Sequence, residues 1–87
     1  MGQPDAFTAI ADTNRRYLLE ELRRGPKTVN QLASGLPVSR PAVSQHLKIL
    51  LDSGLVSVRS QGTRRVYEIS EPGFVKLNLW LDQFWQE

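Results

Sequence analysis

The chain has 87 residues, a formal net charge of +2, 40% hydrophobic residues and no cysteine. This length predicts a single domain over residues 1–87, and the lack of cysteine excludes a disulfide, a thiol redox switch and a thiolate metal site in this sequence. No stretch is long and apolar enough to span a membrane, and the first residues lack a basic-then-apolar secretory pattern, so we expect a cytoplasmic protein with no membrane partner.

Two helices are predicted at the start of the chain. The first runs from Pro4 to Ala11 and contributes Phe7 and Ile10 as apolar side chains. The second begins after Asp12, which is a good N-cap residue. Its inward-facing residues are expected to be Tyr17, Leu18 and Leu22. Its arginines are expected to form a solvated face, with contact of one of them to a DNA backbone as the alternative, namely Arg15, Arg16, Arg23 and Arg24. We interpret this helix as scaffold.

The next two predicted helices are separated by only a few residues. One runs from Thr28 to Leu36 with Thr28 as its N-cap, and the other begins at Ser39 and ends before Gly54. In the second of them an apolar stripe recurs at helical spacing, formed by Val43, Leu47, Leu50 and Leu51. Two helices with so short a connection form a helix-turn-helix, in which the second helix reads DNA.

The face of this fourth helix opposite its stripe carries small and hydrogen-bonding side chains with few charges. Such a face can enter a major groove and contact base edges, and Gln45 suits adenine. The candidate DNA contacts are Ser39, Arg40, Pro41, Ala42, Ser44, Gln45 and Lys48. For Arg40 a phosphate contact is favoured over guanine. An ordinary solvated helix face would have a similar composition, so the neighbouring segments decide.

Two strands follow, over residues 56–60 and 65–69, because apolar and polar residues alternate there. Gly62 in the connecting loop is free to adopt positive φ. A basic hairpin directly after a reading helix is a wing, whose candidate DNA contacts are Arg59, Thr63, Arg64 and Arg65. At least one of Arg59 and Arg65 can pair with Glu68 instead. The predicted fold is mainly α with a small β-hairpin, a winged helix-turn-helix in the order α-α-α-α-β-β-α.

Positive charge is concentrated in the middle of the chain. Residues 38–66 have a local balance of +4, whereas residues 71–87 have a balance of −2. A protein that presents one face to phosphates has such a distribution. We therefore expect double-stranded DNA as the partner.

The last predicted helix starts at Pro72 and is apolar over more of its surface than one small core requires. Intramolecular burial accounts for one stripe but hardly for Trp80 and Trp85 as well, since large exposed apolar patches usually mark interfaces. A chain this short also gains from oligomerisation. We predict a homodimer whose interface contains Phe7, Ile10, Phe74, Leu77, Trp80, Leu81 and Phe84.

Three segments resemble the ArsR/SmtB family of small bacterial winged-helix repressors. They are A-I-A-D-T-N-R-R-Y-L-L-E-E-L at 9–22, S-R-P-A-V-S-Q-H-L-K-I-L at 39–50 and S-G-L-V at 53–56. The resemblance extends from about residue 5 to the end of the chain, with Thr13 where such proteins often have proline. It implies a dimeric repressor whose first and last helices pack across a twofold axis. Two reading helices so related would favour an inverted-repeat operator.

Many members of this family sense metal ions, but this sequence lacks the ligands for it. Alignment on the fourth helix places Thr28 and Asn30 where arsenic- and cadmium-type sensors carry Cys-x-Cys, and the last helix offers Asp82 without a histidine. A single histidine cannot assemble a zinc site. We expect no metal and no cofactor. His46 is expected to seat its helix through a half-buried hydrogen bond rather than to contact DNA.

An enzyme is not expected, because no nucleophile is paired with a base and no phosphate-binding glycine loop is present. The main rival is a winged-helix interaction module whose basic wing docks an acidic partner protein. A steep salt dependence of affinity for bulk DNA would distinguish a DNA reader from such a module. The sequence neither supports nor excludes a small-molecule effector at the dimer interface, and it identifies neither the operator nor the regulated genes.

Overall fold

Five helices and one antiparallel sheet make up residues 4–85, the part of the chain that the computed structural model describes. The helices are α1 (Ala6–Ile10), α2 (Thr13–Leu22), α3 (Val29–Ala33), α4 (Arg40–Asp52) and α5 (Glu71–Asp82). The strands are β1 (Lys27–Thr28), β2 (Val56–Gln61) and β3 (Arg64–Ile69). The predicted fold class is confirmed, since the chain is mainly helical and combines a helix-turn-helix, α3 and α4, with a β2–β3 wing.

Capping side chains set where four of the helices begin, and three of these caps are the ones that the sequence predicts. Asp12 accepts a hydrogen bond from the Arg15 backbone at 3.0 Å, and Ser39 accepts one from the Ala42 backbone at 3.3 Å. Thr28 and Gln31 form a reciprocal capping box at the start of α3. Each bond satisfies a backbone donor that has no partner inside the helix, so these starts are determined locally.

Two helices are shorter than the sequence pattern predicts. α1 begins at Ala6 rather than Pro4, because Asp5 is an N-cap with extended backbone whose carboxylate accepts from the Thr8 backbone at 2.8 Å. α3 likewise starts after Thr28 and ends at Ala33, three residues before Leu36. The apolar pattern continues beyond α3, because Leu36 and Val38 in the following turn also pack on the core.

The sheet contains a strand that the sequence pattern does not indicate. β2 and β3 pair from Val56↔Ile69 to Gln61↔Arg64, and Gly62 in the turn has a φ of 64°. β1 adds to the other side of β3 through the pairs Lys27↔Tyr67 and Thr28↔Val66, which gives the order β1-β3-β2. A strand of two residues is too short to show an alternation of apolar and polar residues in the sequence. It can be recognised only from its pairing with β3 in the structure.

The core surrounds α4. Val43, Leu47 and Leu50 form one stripe of this helix and are fully buried. They belong to a cluster with the buried leucines of the neighbouring segments, Leu18, Leu22, Leu32 and Leu55. Burial of each such side chain contributes about 1.5–3 kcal/mol. Because this stripe must be dry, the opposite face of α4 is turned to solvent.

The start of α5 lies directly on the turn that follows α4. The Ser70 backbone donates to the Leu55 carbonyl at 2.9 Å, and a Cβ atom at Gly73 would overlap the carbonyl oxygen of Gly54. Gly54 itself has a φ of 84°, as expected of a residue just past a helix end. This close approach of two backbones sets the direction in which α5 leaves the core.

None of the helices in the described range has both the length and the apolar character that crossing a bilayer requires.

We predict that Gly73→Ala destabilises the protein by about 1–3 kcal/mol, because the added methyl group overpacks a contact between two backbones. In an ordinary helix the same change would stabilise by about 0.8–1 kcal/mol. Denaturant unfolding at a fixed protein concentration measures the difference. The exposed Asn78→Ala change on α5 is the control and should stay within about 0.5 kcal/mol of wild type. A Gly73→Ala variant as stable as wild type would contradict this account of the contact.

Candidate nucleic-acid interface

An open groove of about 850 Å³ separates α4 from the wing. Four cations line it, Arg40 and Lys48 on one wall and Arg64 and Arg65 on the other, and no acidic residue does so in the described part of the chain. The other lining residues are Thr28, Val29, Asn30, Gln31, Ser44, Leu51, Thr63 and Tyr67. We call this surface the basic groove. A concave surface with one sign of charge concentrates oppositely charged ligands such as phosphates.

The structure brings together some of the sequence-predicted DNA contacts but not all of them. The wing supplies Thr63, Arg64 and Arg65, and α4 supplies Arg40, Ser44 and Lys48. Gln45 and Pro41 are also exposed on α4 but lie outside the groove lining, whereas Ala42 is half-buried. Ser39 uses its hydroxyl oxygen to cap the helix. The solvent face of α4 is therefore broader than the groove itself.

The five cations of this region differ in their local partners. Lys48 Nζ lies 3.1 Å from Asp52 Oδ2, one helical turn away. Arg59 Nη1 lies 2.7 Å from Glu68 Oε1 on the neighbouring strand. The expectation that a wing arginine pairs with Glu68 is confirmed for Arg59, which also lies outside the basic groove, against a second concavity of the wing. Arg59 is thus the wing cation most fully balanced by an acid.

Asn30 and Gln31, at the start of α3, line the groove although the sequence did not identify them as candidate contacts. They reach it because β1 pairs with β3 and so draws the start of α3 against the wing. The Gln31 side chain accepts from the Thr28 backbone at 2.8 Å as part of the capping box. No local pattern could have indicated this, because the juxtaposition depends on a tertiary strand pairing.

His46 lies on the side of α4 that faces α1 and α2, and it is half-buried. Its Nδ1 is 3.2 Å from Nη1 of Arg15, which agrees with the predicted role of a seating hydrogen bond. The expectation that Arg15 belongs to a solvated face is wrong, since its side chain is only 12% exposed. The reason is that its guanidinium reaches back to carbonyls at the end of α1.

The carboxylates that cap α1 and α2 have lowered pKa values. For both Asp5 and Asp12 the main cause is the hydrogen bond that the carboxylate accepts from a backbone N–H of the helix it caps. The positive charge of Arg15 lowers the pKa of Asp12 further. Both caps therefore remain ionised at neutral pH.

Large apolar side chains are exposed on α1, on α5 and on the residues that directly follow α5. Phe7 and Trp80 meet edge to face with ring centroids 4.8 Å apart, and Trp80 meets Phe84 in the same way at 4.7 Å. Leu81 and Trp85 are exposed beside them. We call these five residues the apolar patch.

The predicted interface residues fall into three groups by exposure. Phe7, Trp80, Leu81 and Phe84 are exposed and belong to the apolar patch, while Ile10 and Phe74 are half-buried against the core. Leu77 is corrected to a core residue, because only 8% of it is exposed within one protomer. A side chain that is already buried within one protomer has little further apolar surface to bury against a second copy of the chain.

Among residues 4–85 no three His, Cys, Asp or Glu side chains come together in a way that could hold a metal ion.

Comparisons with known proteins agree with this geometry. Residues 12–58 match the family described as bacterial regulatory protein, arsR family. The chain is 53% identical over 83 residues to the HTH-type transcriptional regulator Rv2034 of Mycobacterium tuberculosis, covering 94% of this chain and 78% of that protein. It is 32% identical over 66 residues to the transcriptional repressor SdpR of Bacillus subtilis, covering 76% of this chain and 73% of that protein.

A solved structure shares the fold. It is the homodimeric winged helix-turn-helix DNA-binding domain Mb0332 from Mycobacterium bovis, described as a possible ArsR-family transcriptional regulator. The superposition has a TM-score of 0.74 and 27% sequence identity, and it covers 90% of this chain and 72% of that one. With a helix-turn-helix, a basic groove and sequence matches along most of its length, the chain belongs to the ArsR family of DNA-binding bacterial transcriptional regulators.

Proposed function

We propose that this protein is a homodimeric transcriptional repressor that binds an inverted-repeat operator and does not respond to metal ions. The basic groove carries the proposal, because four cations and, among residues 4–85, no acid line the space between a solvent-facing helix and a wing. A DNA backbone matches this charge and concave shape. α4 would enter the major groove, and the wing would follow the adjacent phosphates.

Base reading falls to the exposed middle of α4. Ser44 and Gln45 are both exposed there, and neither contributes to the buried stripe of the helix. A glutamine amide can donate to adenine N7 and accept from N6, which is the pairing that specifies adenine. Arg40 in the first turn is placed to hold a phosphate and so to fix the helix in register.

The dimer would form through the apolar patch. Two tryptophans and two phenylalanines are exposed on one small protomer. Exposure of so much apolar surface to water is unfavourable, and a second copy of the chain would bury it. The homodimeric relative from Mycobacterium bovis has the same fold, which supports this assembly. One reading helix contacts too few base pairs to select a site, whereas two related by a twofold axis double the contacted sequence.

The sign of regulation and the insensitivity to metal rest on different observations. Repression is supported by the similarity to SdpR, a transcriptional repressor, since a dimer bound across a promoter blocks access to it. Metal insensitivity is supported by the lack of cysteine and by the oxygen-bearing Thr28 and Asn30 at the positions of the sensor thiolates. Thr28 is moreover committed to capping α3.

We predict that Gln45→Ala weakens binding to the operator by about 1–3 kcal/mol and weakens binding to random DNA much less, because only the operator supplies the specified base. The operator is first selected from a random library by the wild-type protein. Fluorescence anisotropy on both DNAs then measures the two changes in affinity. Equal weakening on operator and random DNA would assign Gln45 to the backbone or to the fold.

We predict that replacing Arg64 and Arg65 together by glutamine weakens binding to every DNA sequence and lowers the salt slope by about 0.9 for each phosphate that is no longer neutralised. Arg59→Gln is the matched control, because Glu68 already balances that charge, and it should change the slope less. Titrations over a range of salt concentrations give the slopes. An unchanged salt slope in the double variant would contradict DNA binding by the wing. So would a wild-type protein that shows a shallow salt slope on DNA and binds an acidic protein tightly.

We predict that Trp80→Glu converts the dimer to a monomer and abolishes operator binding, because the charge would lie between Phe7 and Phe84 of its own protomer and would be buried when a second copy covers the apolar patch. Asn78→Asp adds one negative charge to the same helix outside the aromatic contacts and should leave both properties intact. Sedimentation equilibrium and operator binding are measured on the same samples. A wild type that is monomeric at micromolar concentration yet binds the inverted repeat tightly would rule out this interface.

A further inference from the structure

Arg15 joins three helices through one side chain. Its Nε donates to the Ala9 carbonyl at 2.8 Å, and its Nη2 donates to the Thr8 carbonyl at 3.2 Å, both near the end of α1. Its Nη1 lies 3.2 Å from Nδ1 of His46 on α4. The side chain starts from α2 and is 12% exposed. The guanidinium thus connects α1 with the reading helix.

The chemistry of this contact fixes the state of the histidine. A guanidinium only donates hydrogen bonds, so Nδ1 of His46 must be the acceptor, and the neutral ring then carries its proton on Nε2. The planar guanidinium presents N–H donors in several fixed directions, so it can donate to two adjacent carbonyls and to a ring nitrogen at the same time. The ammonium group of a lysine has one nitrogen and cannot reach all three acceptors. Asp12 Oδ2, 4.0 Å from Nη1, balances the charge.

The two ends of this connection carry the two halves of the proposed function. α1 carries Phe7, which meets Trp80 in the apolar patch. α4 carries Gln45 directly before His46. α1 has only five residues, and the Thr8 and Ala9 carbonyls belong to its last turn, where the Thr8 carbonyl also accepts from the Ala11 backbone at 3.2 Å. Arg15 therefore constrains the angle between the dimer element and the reading helix.

We propose that Arg15, through His46, is a positioning residue that sets the separation of the two reading helices in the dimer. The proposal rests on the proposed function, since it presupposes a dimer on an inverted repeat. If the angle between α1 and α4 changes in one protomer, the twofold symmetry produces the same change in the other. The distance between the two reading helices then changes as well. The spacing between half-sites, normally about 10 base pairs between centres, would report it.

The test compares operators that differ only in the spacing of their half-sites. Wild type should prefer one spacing. Arg15→Lys, which keeps the charge, should remain dimeric, keep its affinity and salt slope on bulk DNA, and bind the preferred spacing about tenfold or more weakly, as for one misplaced base contact. Its preference among spacings should flatten, which a lower stability alone would not produce.

A matched pair at the other end of the contact removes the ambiguity of a single variant. His46→Asn presents an acceptor close to the position of Nδ1 and should keep most of the spacing preference. His46→Leu has similar bulk but no acceptor and should lose it. Equal behaviour of the asparagine and leucine variants would overturn the role of the hydrogen bond.

A spectroscopic readout on the free wild-type protein is independent of DNA. His46 is the single histidine among the 87 residues, so its ¹⁵N ring signals are unambiguous. At neutral pH they should show the tautomer with the proton on Nε2, and a proton on Nδ1 would overturn the proposal. If wild type selects an inverted repeat but Arg15→Lys and His46→Leu keep its spacing preference, the positioning role fails and the proposed function stands. If wild type selects no inverted repeat, both fail.

Discussion

Burial of one stripe of α4 fixes the orientation of the helix that is proposed to read DNA and, through it, the placement of the elements around it. Val43, Leu47 and Leu50 are fully buried, and α4 packs against α1, α2, α3 and β2. Truncation of any one of these side chains would cost about 2–5 kcal/mol, a large share of the stability of so small a domain. Because the stripe cannot rotate away from the core, the polar face of α4 cannot turn inward. The core therefore holds the reading surface in place.

The charges are arranged so that only part of the cationic surface is balanced. Asp52 Oδ2 lies 3.1 Å from Lys48 and Glu68 Oε1 lies 2.7 Å from Arg59, whereas the other three cations of the basic groove, Arg40, Arg64 and Arg65, form no ion pair within the described part of the chain. Exposed ion pairs contribute little to stability. Their larger consequence is to set where the positive potential is strongest, which is between α4 and the wing. That position, more than the net charge of +2, favours DNA as the partner.

One protomer is too small to bury all the apolar side chains of the short helix α1 and of the longer helix α5. α1 is held by Ala9 in the core, by Phe7 against Trp80 and by the guanidinium of Arg15. α5 is held where Gly73 lies on Gly54, while Phe84 and Trp85 farther along are largely exposed. A second copy of the chain would complete the burial of both helices at once, and it would also place two reading surfaces at a defined separation.

Features that depend on interactions within a few residues could be predicted from the amino-acid sequence. Asp12 and Ser39 start helices because a side chain caps an amide three residues ahead, and Gly62 has the positive φ of its turn. Periodicity likewise identified the buried stripe of α4 and the two strands of the wing, and the segments so identified contain all four cations of the groove. These signals are local, so they can be recognised without any knowledge of the fold.

Which distant groups meet depends instead on how the elements pack. β1 exists because Lys27 and Thr28 find β3, and that pairing brings Asn30 to the groove. Arg15 resembles its solvated neighbours in the sequence, yet the end of α1 and His46 draw it inward. Leu77 belongs to the same helical stripe as exposed residues of the apolar patch, and the direction of α5 alone makes it core. Burial and pairing depend on the relative placement of whole elements, which residue spacing along one element does not specify.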